Sequence, residues 1–94
     1  MVTAALYRTD FPHHCRTHSI DGMTLLFHRA SGSTHVLISP MPEMLSLLAE
    51  APMDAAMLCR RLCERLELPH DDEALTVVEA RLGELVASGL VRLG

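Results

Sequence analysis

The sequence predicts an α+β fold: a small winged helix-turn-helix-like domain in which a three-stranded antiparallel sheet is followed by three helices. Two observations predict it. Two runs of β-type residues, 23–28 and 34–38, flank a short connection that contains Gly32. After Ile38, apolar residues recur at helical spacing almost to the end of the chain. With 94 residues, the chain suits one domain with one modest core.

The N-terminal segment, about 1–22, carries the weakest pattern. Residues 4–7 (Ala-Ala-Leu-Tyr) suit a short strand, whereas residues 11–15 (Phe-Pro-His-His-Cys) break any regular period. We therefore expect an early strand and then irregular chain, within a single domain that spans 1–94.

Residues 23–38 are expected to form a β-hairpin. Both runs contain β-branched and aromatic residues, and Gly32 can adopt the positive φ that a short hairpin loop requires. The second strand of this hairpin has an open edge, and open edges can bind extended peptides by strand addition.

The first of the three helices is expected to begin at Ser39-Pro40. Serine can cap a helix, and proline is tolerated in the first turn because its missing N–H would have no partner there. Apolar residues then recur at helical spacing to about Glu50, and Pro52 ends the pattern.

The second and third helices are marked by acidic residues at their starts. Asp54 is a good cap for an amphipathic second helix, and 71–73 (Asp-Asp-Glu) place negative charge where the third helix begins. Gly89 stands where a helix commonly ends in a left-handed residue, and 90–93 suit a short strand or a packed tail. The second and third helices, joined by a short turn, form a helix-turn-helix.

Composition limits the partners. The chain has eight arginines, no lysine and twelve acidic residues, giving a formal net charge of −4. Duplex-binding proteins need a positive field and single-strand binders need aromatic platforms, so no nucleic acid partner is expected. No apolar run approaches the ~20 residues of a bilayer span, and the N-terminus lacks the order of a signal peptide. A cytoplasmic protein with no membrane partner is expected.

The cysteine and histidine residues are the strongest candidates for redox, metal-binding or catalytic roles. Cys15, Cys59 and Cys63 are odd in number, so reduced thiols are expected rather than a disulfide framework. Cys59 and Cys63 have a spacing that suits a metal or redox pair, but their place on the apolar stripe favours core packing. Residues 13–18 include zinc-type ligands in one short run, whereas structural zinc sites usually draw paired ligands from two places in the chain, so no metal or cofactor is expected. We find no catalytic motif and expect a protein that is not an enzyme.

Four stretches carry a family resemblance: Leu26–Ser39, the Ser39-Pro40 helix start, Asp71–Ala74 and Ser88–Val91. In this order and spacing they resemble the PqqD-like family, which is named for a small protein of pyrroloquinoline quinone biosynthesis. This family is related to the precursor-recognition domains of peptide-modifying systems. The pattern looks most like the subgroup found alongside a kinase-like protein related to the kinase of the phosphocarrier HPr. The resemblance covers about 25–93 and does not account for the first 20 residues.

The resemblance implies a non-catalytic peptide chaperone. Such a domain captures the leader of a ribosomally made precursor peptide and presents it to a modifying enzyme, here a peptide-modifying or kinase-like one. The leader would add as an antiparallel strand to the third strand and pack against the third helix. The implied peptide-binding residues are Thr34, His35, Val36, Leu37 and Ile38 in the strand, and Leu75, Val78, Glu79 and Leu82 in the helix. Arg81, at the margin of the helix stripe, can hold an acidic peptide side chain or lie along the surface.

Two other interpretations stay open. The helix-turn-helix pattern also occurs in transcription regulators, although the acidic residues 71–73 would repel phosphates at the start of the recognition helix. The open edge and the methionine-rich segment 41–57 could instead pair with a second copy, which would make the chain a dimerising adaptor or a homodimeric chaperone.

Overall fold

The structure, a computed structural model, describes residues 5–94. Its elements in chain order are β1 (Tyr7–Arg8), β2 (Cys15–Ile20), β3 (Met23–His28), β4 (Ser33–Ile38), α1 (Met41–Glu50), α2 (Ala55–Leu66), α3 (Asp72–Ala87) and β5 (Arg92–Leu93). The strands β2, β3 and β4 form an antiparallel meander in that order, and three helices follow. This is the α+β class that the sequence predicts.

The strand β2 lies in a segment whose sequence pattern predicts irregular chain. Its turn to β3 consists of Asp21 and Gly22, which both have positive φ values of 48° and 78°. Two such residues match the twist of antiparallel strands in a two-residue hairpin, and Asp-Gly is a favoured pair for it. The expectation of irregular chain is therefore wrong for Cys15–Ile20, because pairing with β3 orders a run that has no apolar alternation of its own.

The hairpin of β3 and β4 agrees with the prediction. Its loop contains Gly32 with φ +73°, and the Gly32 N–H donates to the carbonyl oxygen of His28 at 2.8 Å. The register pairs Met23 with Ile38 and Leu26 with His35. Side chains of paired residues point to the same face, so this register fixes which residues meet the helices.

The chain ends meet in a second, two-stranded ladder. The strand β1 pairs antiparallel with β5, with Tyr7 opposite Leu93. Of the early strand expected over 4–7, Tyr7 is in β1, residues 5 and 6 precede it, and Ala4 lies outside the described residues. Tyr7 also exchanges backbone hydrogen bonds with Met53 at 2.8 and 3.3 Å, which ties this ladder to the segment between α1 and α2.

The cap predicted at Asp54 is present, the acidic residues predicted at the start of the third helix are there and also provide a cap, and the cap predicted at Ser39 is absent. Asp54 accepts the Met57 N–H at 2.8 Å at the start of α2, and Asp71 accepts the Ala74 N–H at 2.9 Å at the start of α3. The expectation for α1 is wrong: its N-cap is Pro40, and the hydroxyl of Ser39 donates to Glu43 at 2.6 Å instead of capping the backbone.

The end of α3 is a Schellman motif. Gly89 has φ +83°, its N–H donates to Val86, and the Leu90 N–H donates to Leu85 at 3.1 Å. A left-handed residue at this position lets the next two N–H groups satisfy the last helical carbonyls. The motif turns Leu90 and Val91 into the core, where both are buried.

The core lies between one face of the sheet and the three helices. It is mainly aliphatic, and no polar or charged residue within 5–94 is buried. The sheet contributes Leu26 and Leu37, which alternate with exposed neighbours along β3 and β4. The fully buried large side chains are Leu26, Met44, Leu45, Leu47, Leu58, Leu82, Leu85 and Val91, with Cys59 among them.

Candidate functional site

The strand β4 has a hydrogen-bonding partner on one side only. In the described chain its neighbour in the sheet is β3, and its other side is open. Alternate residues of an antiparallel strand direct their N–H and C=O groups away from the partner strand. An extended chain laid along the open side can bond to these groups.

The side chains of β4 divide between the two faces of the sheet. Leu37 is buried and His35 is half-buried, so both point toward the helices. Thr34, Val36 and Ile38 point away from them, and Val36 and Ile38 are 60% and 56% exposed. Of the five predicted strand residues, Leu37 therefore belongs to the core, and alternate members of the five direct their backbone groups to the open edge.

The opposite edge of the sheet, β2, is a poorer docking edge. Its residues 16–20 are exposed, and the run is polar except for Ile20. Charged and polar side chains on an edge strand discourage pairing. The groove that Ser19 of β2 lines also contains Glu43 and Arg65 and is therefore not apolar, whereas an apolar groove lies at Pro40, two residues beyond β4.

An apolar groove begins two residues beyond the end of β4. Its volume is about 170 Å³. Pro40 forms one wall, and the other walls come from the end of α2, the connection to α3 and the first half of α3. The lining side chains outside Pro40 are Leu62, Cys63, Leu66, Leu68, Ala74, Val77 and Val78. This set contains no charged residue, so the groove suits an apolar side chain rather than a polar one.

The side of α3 that faces the groove differs in part from the predicted one. Ala74, Val77 and Val78 line it, and Val78 is its buried floor while Val77 is 46% exposed. At 100° per residue, Leu75 and Glu79 lie on the other side of the helix axis.

Two further predicted helix residues have different environments. Leu82 has no exposed surface and belongs to the core. Arg81 lies one turn beyond Val77 and Val78 on the groove side, with its side chain 39% exposed. Its Nε lies 3.3 Å from Glu84 but forms no hydrogen bond, although that atom is buried. The ion pair with Glu84 is a surface pair and contributes little to stability.

Acidic groups stand at the N-terminal end of α3. Asp71 caps the helix, and Asp72 and Glu73 occupy its first turn, where the macrodipole stabilises negative charge. All three side chains are exposed. They border the groove at Ala74 and give that end of it a negative potential, which disfavours phosphate-bearing ligands.

The cysteine pair on α2 is part of the core. Cys59 is fully buried and Cys63 is 5% exposed, and both are free thiols. Burial, together with the adjacent Cys63 thiol, raises the pKa of Cys59 to about 11. A thiol held in its protonated form is a poor nucleophile, which fits a packing role for Cys59.

The histidine-rich segment 13–18 contributes to the sheet rather than to a cluster of ligands. Cys15 pairs with His28 across β2 and β3, and burial, with the nearby Asp10 charge, raises the pKa of the Cys15 thiol. Within residues 5–94 no group of three or more histidine, cysteine, aspartate or glutamate side chains is arranged to hold a metal ion.

Comparison of the chain with known protein families, proteins and structures identifies no relative. The chain matches no family model, no curated protein and no solved structure. In the described part of the chain, no helix has the length and apolar character that crossing a membrane requires. The fold and the geometry of the edge define the class: a small α+β domain with an open edge strand beside an apolar groove.

Proposed function

We propose that this protein is a non-catalytic, cytoplasmic peptide-binding chaperone of the PqqD-like kind. It captures the leader of a ribosomally made precursor peptide and presents that peptide to a modifying or kinase-like enzyme. One observation carries the proposal: β4 is an edge strand, and two residues beyond its end the chain reaches, at Pro40, an apolar groove walled by α2 and α3.

Strand addition supplies the affinity. A leader paired antiparallel with β4 gains main-chain hydrogen bonds to groups that otherwise bond to water, and these bonds do not depend on peptide sequence. Alternate residues of the six in β4, three in all, direct their N–H and C=O groups to the open side for such a ladder. Bonds of this kind are individually worth about 1 kcal/mol, so several of them together support a reversible complex.

The groove supplies the specificity. A peptide that extends past Ile38 reaches Pro40, where an apolar side chain can enter the space beside Val77 and above Val78. The volume of about 170 Å³ accepts one side chain of the size of leucine or phenylalanine. Arg81, farther along the same side of α3, is placed to attract an acidic side chain of the peptide.

The charge distribution favours a peptide over a nucleic acid. The formal net charge is −4, and the exposed acids at the start of α3 occupy the position where a recognition helix would approach phosphates. A leader peptide does not require positive potential on the protein, because its backbone is neutral.

The proposal is tested with peptides selected from a displayed library of random sequences about twelve residues long, which is enough to span β4 and the groove. The ¹⁵N-labelled full chain is titrated with an enriched peptide, and chemical-shift changes are mapped. Changes concentrated in β4 and on the groove side of α3 are the expected result. Failure to enrich any peptide, or shifts confined to the exposed side of α2, would contradict the proposal.

A further inference from the structure

The outer face of the sheet, the side away from the helices, is apolar and uncovered. Alternation along the three strands and their register place nine side chains on it. Six of them are apolar: Ile20, Met23, Leu25, Phe27, Val36 and Ile38. The other three are Arg16, His18 and Thr34. The usual pattern of an antiparallel sheet, apolar inside and polar outside, is therefore absent from the outer face.

The six apolar residues form one patch rather than scattered points. Ile20 pairs with Met23, which pairs with Ile38, so three apolar side chains form a row across the sheet. Leu25 and Val36 pair in a second row beside it. Phe27 extends the patch along β3 toward the hairpin loop. This grouping, defined as the outer-face patch, crosses all three strands.

The exposed area of the patch is large for a domain of this size. The five most exposed members have between 39% and 60% of their surface in contact with solvent. At roughly 200 Å² for a fully exposed large apolar residue, they leave about 450 Å² of apolar surface open, near the upper end for a monomer. A standard interface buries about 800 Å² per partner, and about two thirds of a homodimer interface is apolar. The patch thus supplies most of the apolar area that one half of a dimer needs.

The charges of the face permit self-association. Arg16 is the one charged side chain on it, and it lies on β2 at the margin of the patch. The acidic residues that give the chain its net charge of −4 lie off this face. Two copies can therefore approach face to face without placing acid against acid. Sheets packed in this way interdigitate their side chains in a layer about 10 Å thick.

We infer that the outer-face patch is the interface of a homodimer, in which two copies pack their sheets face to face about a two-fold axis. This goes beyond peptide binding, because the edge of β4 and the groove take no part in it. A face-to-face dimer leaves both open edges accessible and so presents two peptide sites. It differs from a dimer made by pairing two β4 edges, which would block those sites.

The test is sedimentation equilibrium on the full chain and on three variants. Phe27→Glu and Ile20→Glu each place a carboxylate on the patch at positions 41% and 44% exposed, where the monomer tolerates charge. Val86→Glu is the matched control, because Val86 is 38% exposed on α3, away from the sheet. Circular dichroism verifies that all variants are folded.

The wild-type chain and Val86→Glu are expected to be dimeric, and both patch variants are expected to be monomeric under the same conditions. The dimer dissociation constant should rise at least about 100-fold, because a two-fold interface contains each substitution twice. A wild-type monomer at all accessible concentrations overturns the inference and assigns the patch to some other partner. A dimer that survives both patch substitutions also overturns it and points to the β4 edge.

Discussion

Val77 offers the sharpest test of the groove. It lines the groove with 46% of its surface exposed, so an aspartate there can be hydrated in the free protein but not beneath a bound peptide. Val77→Asp is therefore expected to weaken peptide binding with little effect on folding. The change in the free energy of unfolding should stay within about 1 kcal/mol, as for other exposed substitutions.

The magnitude follows from the area that the peptide covers. The exposed part of Val77 is about 70 Å², and removing that much apolar contact costs about 2 kcal/mol, or roughly 20-fold in Kd. Desolvating the new carboxylate adds to this loss, so 20-fold is a lower bound for a peptide that fills the groove.

The control is the same substitution on the opposite side of the same helix. Val86 follows Val77 by nine positions, which is two and a half helical turns, and it is 38% exposed. Val86→Asp therefore matches Val77→Asp in residue type, exposure and helix, and differs in the side of α3 that it changes.

Fluorescence anisotropy with a labelled peptide from the selection measures both affinities, and urea denaturation measures both stabilities. The expected result is weaker binding by Val77→Asp alone. Equal Kd values for the two variants, with both proteins folded, would show that the groove does not contact the peptide.

Two further predictions concern the stability of the scaffold. Leu26 has no exposed surface and connects the sheet to the helices, so Leu26→Ala should lower the free energy of unfolding by about 3 kcal/mol in urea denaturation. For Leu93→Ala, at a residue that is 53% exposed, the free energy of unfolding should fall by less than about 1 kcal/mol. Similar losses for Leu26→Ala and Leu93→Ala would contradict the assignment of Leu26 to the core. The pKa of Cys59 is raised from 9.0 to about 11 in the folded protein, so the thiol ionises first in the unfolded state as the pH rises. Stability should be unaffected by this group at neutral pH and fall by up to about 2 kcal/mol between pH 9 and 11. Cys59→Ala should remove that part of the slope, and identical pH profiles for the two proteins would rule out the mechanism.

The sequence predicts the elements whose pattern is local. The helices are predictable because their apolar residues recur at helical spacing. The cap Asp54 and the acidic start of the third helix are predictable because acidic residues precede these runs. The hairpin of β3 and β4 is visible because both strands are rich in β-branched and aromatic residues around Gly32.

The strand β2 is harder to predict because it is stabilised by pairing with β3 rather than by a local sequence pattern. Its side chains alternate between faces, but only Ile20 among them is strongly apolar, so no period of two appears. One local signal was present: Asp21-Gly22 followed directly by a β-type run indicates a two-residue hairpin. The ladder of β1 with β5 has no local signal, because each strand has two residues and its partner lies at the other end of the chain.

The candidate site was predicted in its strand and only partly in its helix. The apolar residues of α3, from Ala74 to Val86, cover about half of the helix circumference. Sequence spacing alone cannot decide which margin of so wide a stripe faces β4. Packing against α2 decides it, placing Val77 at the groove and Leu75 on the other side of the axis. The outer-face patch escaped prediction for a related reason, since the sequence does not show which set of alternating strand residues faces the helices.

The chain ends are held together by the ladder of β1 and β5, which is separate from the sheet that contains the open β4 edge. Arg8 donates to the carbonyl oxygen of Gly94 across 86 positions, whereas β2, β3 and β4 are joined by turns of a few residues. A ladder so short and so distant in sequence closes after the meander and opens before it, because its few bonds must offset a large loop-closure entropy. It does not border the β4 edge or the groove. Fraying at the ends can therefore proceed while the edge stays ordered, so under the proposed function a peptide would meet a preorganised edge and would spend little binding free energy on ordering it.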